Sequence, residues 1–337
     1  MGTYNIEHGV VDLGSLKLPV PDTVSPEAQA YLSANPWGPE ADAAPLVPMW
    51  QTRESTAAAF VMLNDWALTM WPCDVEELQI GGVRCHKIDR KEAIPGRADK
   101  VMINLHGGGF VLGSGSLGEA IPIAGETGVT VLAVDYRLAP EHPYPAAVDD
   151  IISVYREVLQ YHAPQDVVLF GTSAGGFLTA MTIMRLKHEG LPLPACCGIF
   201  TGGGDVTALG DTFNYLTLGG FYGFIGHPLD HPECERAVFL GDADHNDPLV
   251  APVKGDLSDF PPSLLVSGTR DAVLSNAALF HRALRRAGRD AELYVFEAMP
   301  HAHWYSFQLP EAREAIEVMA RFFEKHLGLS APQGEVT

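Results

Sequence analysis

Short apolar runs alternate with longer amphipathic stretches over most of this chain of 337 residues. Runs that are apolar at every position are typical of strands buried on both faces, as in a parallel sheet covered by helices. The pattern therefore predicts an α/β fold with a mostly parallel central sheet. The predicted strands are residues 75–80, 83–88, 101–105, 129–134, 166–170, 195–200, 262–267 and 292–297, and the predicted helices are residues 115–127, 146–161, 174–188, 272–288 and 310–327.

Two regions interrupt this alternation. Residues 1–73 are rich in proline, alanine and tryptophan and predict helices only, the first beginning at Ser25-Pro26-Glu27 and a longer one over about residues 51–70. Residues 205–257 are rich in glycine and aromatic side chains, and they either line a pocket or form a packed surface lobe. We expect both regions to cap a main domain made of residues 74–204 and 258–337. The aromatic residues concerned are Phe213, Tyr215, Phe221, Tyr222 and Phe224.

A serine lies between two glycines where a predicted strand meets a predicted helix. The sequence Gly171-Thr172-Ser173-Ala174-Gly175 fits the pattern G-x-S-x-G, in which a sharp strand-to-helix turn exposes a nucleophilic serine. Glycines are needed there because the backbones pass too closely for side chains. Such a short pattern also occurs by chance in ordinary loops, so it indicates catalysis only if the chain supplies partners for the serine.

A serine nucleophile requires a base to accept its proton and a carboxylate to orient that base. In a parallel sheet these groups are expected just after the carboxyl ends of strands. Asp271 and His301 occupy such positions, and they follow the serine in the expected order. Asp271 has a second interpretation as the cap of the following helix, and His303 competes with His301. Asp244 and Asp259 are weaker candidates for the acid, because neither follows a convincing strand.

Three consecutive glycines follow the predicted strand 101–105. A loop without side chains leaves its backbone N–H groups free to point into a site, as the stabilisation of an oxyanion requires. We expect the N–H groups of Gly107 and Gly108 to act with that of Ala174 as an oxyanion hole, while His106 holds the loop. A glycine-rich turn could instead bind phosphate, but this one matches neither of the common phosphate-binding patterns.

Composition narrows the range of partners. The chain carries 22 Lys and Arg against 42 Asp and Glu, a formal charge of −20, which disfavours contact with nucleic acid or an anionic membrane. Five cysteines without regular spacing predict neither disulfides nor a zinc site, and His301 and His303 lack a third metal ligand at a recognisable spacing. We see no secretion signal and no membrane span, so a cytoplasmic location is expected. No metal and no cofactor are predicted.

Three motifs together resemble the hormone-sensitive-lipase-like α/β-hydrolases, the bacterial family IV esterases. The resemblance covers most of the chain from about residue 75 onward. The motifs are His106-Gly107-Gly108-Gly109, Tyr136-Arg137-Leu138-Ala139-Pro140-Glu141-His142-Pro143-Tyr144-Pro145-Ala146-Ala147 and Gly171-Thr172-Ser173-Ala174-Gly175-Gly176.

This resemblance implies an α/β-hydrolase fold with a helical cap and the hydrolysis of short- to medium-chain acyl esters without a cofactor. Because family members often pair through their last strand and helix, it also suggests a homodimer. The partner is a small-molecule ester. The residues implied are Ser173, Asp271 and His301 for the triad, and Gly107, Gly108 and Ala174 for the oxyanion hole.

The chain also departs from the family pattern. Thr172 stands where many members have aspartate, which indicates the Gly-Thr-Ser-Ala-Gly-Gly subgroup, Ala272 replaces a frequent proline, and His303 replaces a common phenylalanine. The stretch 201–205 is unusual as well, so the cap and the substrate preference are the least transferable features. The same machinery would serve a lactone, amide or carbamate hydrolase. A non-catalytic small-molecule receptor on this fold is a further alternative, against which His301 argues.

Overall fold

The computed structural model describes residues 3–5, 10–12, 19–34, 48–221 and 233–329. Within these ranges the strands are β1 Thr3–Asn5, β2 Val10–Asp12, β3 Cys73–Ile80, β4 Val83–Arg90, β5 Val101–Leu105, β6 Thr130–Val134, β7 Val167–Thr172, β8 Cys196–Phe200, β9 Ser263–Arg270 and β10 Ala291–Pro300. The α-helices are α1 Pro26–Ala34, α2 Arg53–Met70, α3 Ala120–Thr127, α4 Ala146–Val158, α5 Ala174–His188, α6 Glu235–Leu240, α7 Leu274–Arg286 and α8 Pro310–His326.

Strands β3 to β10 form one sheet in the order β10-β9-β8-β7-β5-β6-β4-β3. Strands β5 to β10 run parallel to one another, whereas β3 and β4 form an antiparallel hairpin at one edge. The hairpin turn consists of Gly81 and Gly82, whose positive φ angles of 56° and 80° are accessible to glycine without strain. The prediction of a mostly parallel sheet is thereby confirmed.

Alternation along the buried strands divides the core into two layers. In β7, Val167 and Leu169 pack on one face of the sheet and Val168 and Phe170 on the other, because successive side chains of a strand point in opposite directions. Helices α4, α5 and α7 cover the first face, and α3 and α8 cover the second. Burial on both faces explains why these strands appear in the sequence as continuous apolar runs.

The carboxyl ends of four neighbouring strands lie side by side at one edge of the sheet. Leu105 of β5 pairs with Gly171 of β7, and Thr172 of β7 pairs with Phe200 of β8. Strand β9 continues the parallel order beside β8. The segments that leave β5, β7, β8 and β9 therefore meet at this edge, where the candidate site lies.

Two local predictions were wrong. Helix α3 begins at Ala120 rather than near residue 115, because Gly113 and Gly115 adopt positive φ angles of 104° and 76° that interrupt a helix. Strands β1 and β2 pair in a region for which only helices were predicted. Short extended segments of this kind carry little periodic signal. Tyr222 and Phe224 lie outside the described residues.

The N-terminal helices are tied to the main domain by specific polar contacts. The backbone N–H and the hydroxyl of Ser25 donate to the two carboxylate oxygens of Glu311, at 2.7 and 2.8 Å. Arg53, the first residue of α2, donates from Nε to the Val111 carbonyl at 2.6 Å and forms two hydrogen bonds of 2.8 Å with Glu141. A bidentate guanidinium-carboxylate pair fixes geometry as well as distance. Helix α2 is therefore anchored close to the glycine loop.

Candidate active site

Ser173 occupies the apex of the turn between β7 and α5. Its φ of 58° and ψ of −119° are unfavourable for a residue with a side chain. A Cβ atom on Gly171 would lie 2.4 Å from the Leu105 carbonyl oxygen, and a Cβ atom on Gly175 would lie 1.8 Å from the same oxygen. Only glycine fits at these two positions, so the close approach of β5 and α5 holds Ser173 in its strained conformation.

Three side chains at the sheet edge form a continuous hydrogen-bonded series. His301 Nε2 lies 2.9 Å from Ser173 Oγ, and His301 Nδ1 lies 2.7 Å from Asp271 Oδ1. Beside an ionised carboxylate Nδ1 carries the ring proton, which leaves Nε2 to accept the proton of the serine hydroxyl. The structure brings together the three residues of the predicted triad, although Ser173 and His301 are 128 positions apart.

The Asp271 carboxylate is fully buried, and both of its oxygens accept hydrogen bonds. Thr201 Oγ1 donates to Oδ2 at 2.5 Å and Ser267 Oγ donates to it at 2.6 Å, while the Val273 N–H donates to Oδ1 at 3.1 Å. Burial alone would raise the pKa of Asp271, but the interaction with His301 and the hydrogen bonds outweigh burial and hold the pKa below its ordinary value. Asp271 therefore stays ionised. The hydrogen bond from the Val273 N–H shows that the Asp271 carboxylate also stabilises the backbone just before α7.

Thr201 and Ser267 were not recognised as partners of Asp271 from the sequence. Thr201 directly follows β8 and has a φ of 46°, which is rare for a β-branched residue and orients its hydroxyl toward the acid. The one signal in the sequence was the unusual stretch 201–205. Ser267 gave no signal, because a serine inside an apolar strand is also compatible with simple burial.

The competing residues occupy other environments. Asp244 and Asp259 are exposed on turns. His303 is buried beside the triad, and neither of its ring nitrogens has a well-formed hydrogen bond among the described residues. Burial lowers its pKa to about 4 in spite of the nearby Asp271 charge. Its ring packs against Phe296 and Trp304, with centroids 4.9 and 5.2 Å apart, so His303 fills space as a neutral ring.

The glycine loop after β5 lies against the elbow. A Cβ atom on Gly107 would approach the Ser173 Cβ to 3.4 Å, and Gly108 has a φ of 119° that favours glycine. Within the described part of the chain, the N–H groups of Gly107, Gly108 and Ala174 donate to no acceptor. Backbone donors next to a nucleophile that are not used by the fold are the groups an oxyanion hole requires.

His106 holds this loop from behind. Its Nδ1 lies 2.7 Å from the Gly107 carbonyl oxygen, and its ring stacks on Tyr136 with centroids 4.2 Å apart. The Tyr136 hydroxyl donates to the His106 carbonyl at 2.7 Å. Burial lowers the pKa of His106, which favours the neutral imidazole.

A second buried carboxyl lies behind the elbow. Glu119 faces Thr172, Asn104 and Tyr305, but its closest hydrogen-bond contact is the Tyr305 hydroxyl at 3.5 Å, and Oε1 has no partner among the described residues. Burial raises the pKa of Glu119 to about 8, and the weak interactions with the three polar side chains lower it only in part. Nothing in the sequence distinguished this glutamate from a surface residue.

Ser173 and His301 line a cavity of about 460 Å³. Its walls are mainly apolar and include side chains from both regions that interrupt the strand-helix alternation. Phe213 of the second region lines the cavity, whereas Tyr215 and Phe221 are exposed, so this region contributes to both a pocket and the surface. The apolar residues contributed by the two regions include Tyr31, Met49, Phe60, Leu209, Phe213 and Leu218.

The part of the chain that the structure describes contains no group of three or more His, Cys, Asp or Glu side chains that could hold a metal ion. None of its helices is long and apolar enough to cross a membrane. Its five cysteines are all buried.

A serine on a strand-to-helix elbow of a parallel sheet, with a histidine and an aspartate supplied from later strand ends, defines a hydrolase of the α/β type. The profile of the α/β hydrolase fold family matches residues 102–305. The chain belongs to this family, and within it to the hormone-sensitive-lipase-like esterases. It is a carboxylic ester hydrolase.

Individual relatives agree with this assignment. An acetyl-hydrolase of Streptomyces hygroscopicus is 32% identical over 69% of this chain and 79% of its own length. The crystal structure of an esterase superposes with a TM-score of 0.78 at 32% identity and covers 94% of this chain and 98% of its own. An esterase of the bacterial hormone-sensitive lipase family superposes with a TM-score of 0.76 at 31% identity, over 90% of this chain and 99% of its own.

Proposed function

We propose that Ser173, His301 and Asp271 are the catalytic residues of a serine esterase. Ser173 Oγ attacks the acyl carbon of the ester while His301 Nε2 takes the hydroxyl proton, and His301 then returns that proton to the leaving alcohol. Water hydrolyses the acyl-enzyme through the same two proton transfers. Asp271 keeps His301 in the required tautomer. The proposal rests on one observation: His301 is hydrogen-bonded through Nε2 to Ser173 Oγ at 2.9 Å and through Nδ1 to Asp271 Oδ1 at 2.7 Å.

We propose further that the N–H groups of Gly107, Gly108 and Ala174 stabilise the tetrahedral oxyanion. Ala174 opens α5, and the positive end of that helix favours negative charge beside the nucleophile. The uncommitted N–H groups of all three residues support this role.

The substrate class that we propose is an ester with a short- to medium-chain acyl group. The cavity of about 460 Å³ is bounded by side chains from both regions that interrupt the sheet, and we propose that residues 1–73 and 205–257 form its cap. The acetyl-hydrolase relative agrees with a small acyl group. A homodimer and a cytoplasmic location stay predictions.

A single variant tests the mechanism. Ser173→Ala should lower kcat for p-nitrophenyl butyrate by about 10⁴-fold or more, as the loss of a triad member does in other serine hydrolases. A fluorophosphonate should label the wild-type enzyme with a stoichiometry of one, and it should not label the variant. Ser153→Ala, which removes a serine on α4, serves as the matched control. An unreactive Ser173 in a folded enzyme would support the receptor alternative instead.

The acyl-chain preference is tested with p-nitrophenyl esters from acetate to palmitate. We expect kcat/KM to peak among the short and medium chains, as the family resemblance and the acetyl-hydrolase relative suggest. Activity that rises steadily to palmitate would contradict this part of the proposal without affecting the assignment of the triad.

A further inference from the structure

An acidic side chain lines the substrate cavity where the other walls are mainly apolar. Apart from histidines, the charged side chains among the described lining residues are those of Glu235 and Arg236. Glu235 is only 8% exposed, and its Oε1 has no hydrogen-bond partner among the described residues. The neighbouring Arg236 directs Nη1 to the Thr207 carbonyl oxygen at 3.0 Å.

Glu235 lies directly against the glycine loop. A Cβ atom on Gly109 would come within 3.3 Å of Glu235 Cβ and within 3.2 Å of Glu235 Cγ. Gly109 is two residues along the loop from Gly107, which touches Ser173. Glu235 and Ser173 therefore line the same cavity, and both lie against the glycine loop.

The position of Glu235 is fixed by packing. It is the first residue of the short helix α6, and Phe239 of that helix stacks on Phe110 of the glycine-loop segment with ring centroids 3.8 Å apart. The Tyr144 N–H donates to the Phe239 carbonyl at 2.7 Å and adds a second tie to the main domain. These contacts hold α6, and with it the backbone of Glu235, at a defined place in the cavity wall, as a residue that discriminates between ligands requires.

A buried carboxyl oxygen without a partner is unfavourable, because it has lost its hydration without gaining a hydrogen bond. Burial also raises the pKa of Glu235. A donor on a bound ligand would satisfy this oxygen, whereas an entirely apolar ligand would leave it unpaired. Specificity for a ligand with a donor is the difference in binding free energy between that ligand and the apolar one.

We propose that Glu235 selects esters that carry a hydroxyl group on the part of the substrate occupying this wall of the cavity. This inference rests on the proposed function, since it concerns the substrate of the same site. A hydroxyl suits the site better than an ammonium group does, because a neutral donor pairs with the carboxyl without burying a second charge in an apolar cavity. The Arg236 side chain in the same wall also disfavours a cation.

The test uses pairs of esters in which a hydroxyl replaces a methyl group. On the acyl side, the pairs are the p-nitrophenyl esters of 3-hydroxybutyrate and 3-methylbutyrate, and of 6-hydroxyhexanoate and heptanoate. On the alcohol side, the pair is 2-hydroxyethyl acetate and propyl acetate. The quantity measured is the ratio of kcat/KM within each pair, which cancels general effects of a substitution on activity.

We expect Glu235→Leu to lower this ratio by roughly 10-fold or more in at least one pair, the loss typical of a hydrogen bond to a charged or buried group. Glu235→Gln should retain part of the preference, because its amide oxygen still accepts, and its similar shape keeps the test open if the leucine variant does not fold. Glu233→Leu removes an exposed carboxylate two residues away and should keep the wild-type ratios.

Unchanged ratios in all pairs for Glu235→Leu would overturn the inference. So would a wild-type preference for the p-nitrophenyl ester of 3-aminobutyrate over that of 3-hydroxybutyrate. If Ser173→Ala is inactive in the same assays, these outcomes leave the proposed function intact. If Ser173→Ala remains active, the proposed function fails whatever the ratios are.

Discussion

Two carboxyl groups close to the elbow are equally buried and behave in opposite ways. Asp271 accepts hydrogen bonds on both oxygens and lies 2.7 Å from His301, and its pKa is held low. Glu119 has only weak interactions with Thr172, Asn104 and Tyr305, the last at 3.5 Å, and its pKa is raised to about 8. Burial penalises the ionised form at both sites, so the number and quality of partners determine which form exists. The fold keeps one carboxyl charged beside His301 and the other neutral behind Ser173.

Of the two carboxyl groups, Asp271 should have the larger effect on kcat when its charge is removed. Asp271→Asn should lower kcat by about 10³- to 10⁴-fold, because an amide no longer holds His301 in the tautomer that accepts the Ser173 proton. Glu119→Gln is the matched loss of a buried carboxyl and should change kcat by less than about 10-fold, since Glu119 does not contact His301. Steady-state kinetics with p-nitrophenyl butyrate measures both. Equal losses in the two variants would remove the distinction between these sites.

Glu119→Gln should change how the free energy of unfolding depends on pH. Above its ordinary value of 4.5 the carboxyl ionises in the unfolded chain, but in the folded protein it stays protonated until the pH approaches about 8. The contribution of Glu119 to the free energy of unfolding is therefore complete below pH 4.5 and is lost as the pH rises through 8, by about 5 kcal/mol.

Urea unfolding of both proteins at pH 5 and pH 9 measures this effect. Because glutamine does not titrate, the variant should gain stability relative to the wild type between the two pH values. Using the difference between the two proteins removes the contributions of all other groups. A difference that is the same at both pH values would mean that Glu119 ionises normally in the folded protein.

The contribution of His303 to the free energy of unfolding should change with pH in the opposite direction to that of Glu119, and by a smaller amount. Its pKa is lowered to about 4 from an ordinary 6.5, so unfolding takes up a proton between these values and stability is lost as the pH falls through this window. The loss amounts to about 3 kcal/mol over the whole window. His303→Phe keeps an aromatic ring and removes the titration and two unpaired nitrogens. Thermal unfolding at pH 5 and pH 8 should show a larger advantage of the variant at pH 5, and a smaller advantage there would contradict the buried, neutral state of His303.

Much of the fold follows from local patterns in the sequence. Strands β5, β7 and β8 are continuous apolar runs because helices cover both faces. The strands before Ser173, Asp271 and His301 were predicted to end at residues 170, 267 and 297, two or three residues before the ends that the structure shows. The structure brings Ser173, Asp271 and His301 within hydrogen-bonding distance, as the predicted strand ends imply. Their catalytic roles remain a proposal.

What could not be predicted depends on contacts between distant segments. Thr201 and Ser267 meet Asp271 only because β8 and β9 are neighbours in a particular register, and a single sequence does not specify that register. Glu119 and Glu235 are charged residues whose burial is set by packing from other parts of the chain, and side-chain burial of this kind has no local signature. The start of α3 was misplaced because the glycines before it adopt left-handed conformations rather than helical ones.

The contact between Ser25 and Glu311 joins segments that are 286 residues apart, and it constrains the order of events during synthesis. Helix α1 is made well before α8, against which it docks. At typical elongation rates the interval is roughly 15 to 60 s. During that time Ala28, Tyr31 and Leu32 of α1 cannot pack against α8 as they do in the folded protein. A nascent chain that already contains Ser173 therefore lacks this docking of α1, and with it the placement of Tyr31 in the cavity wall, until α8 has been made.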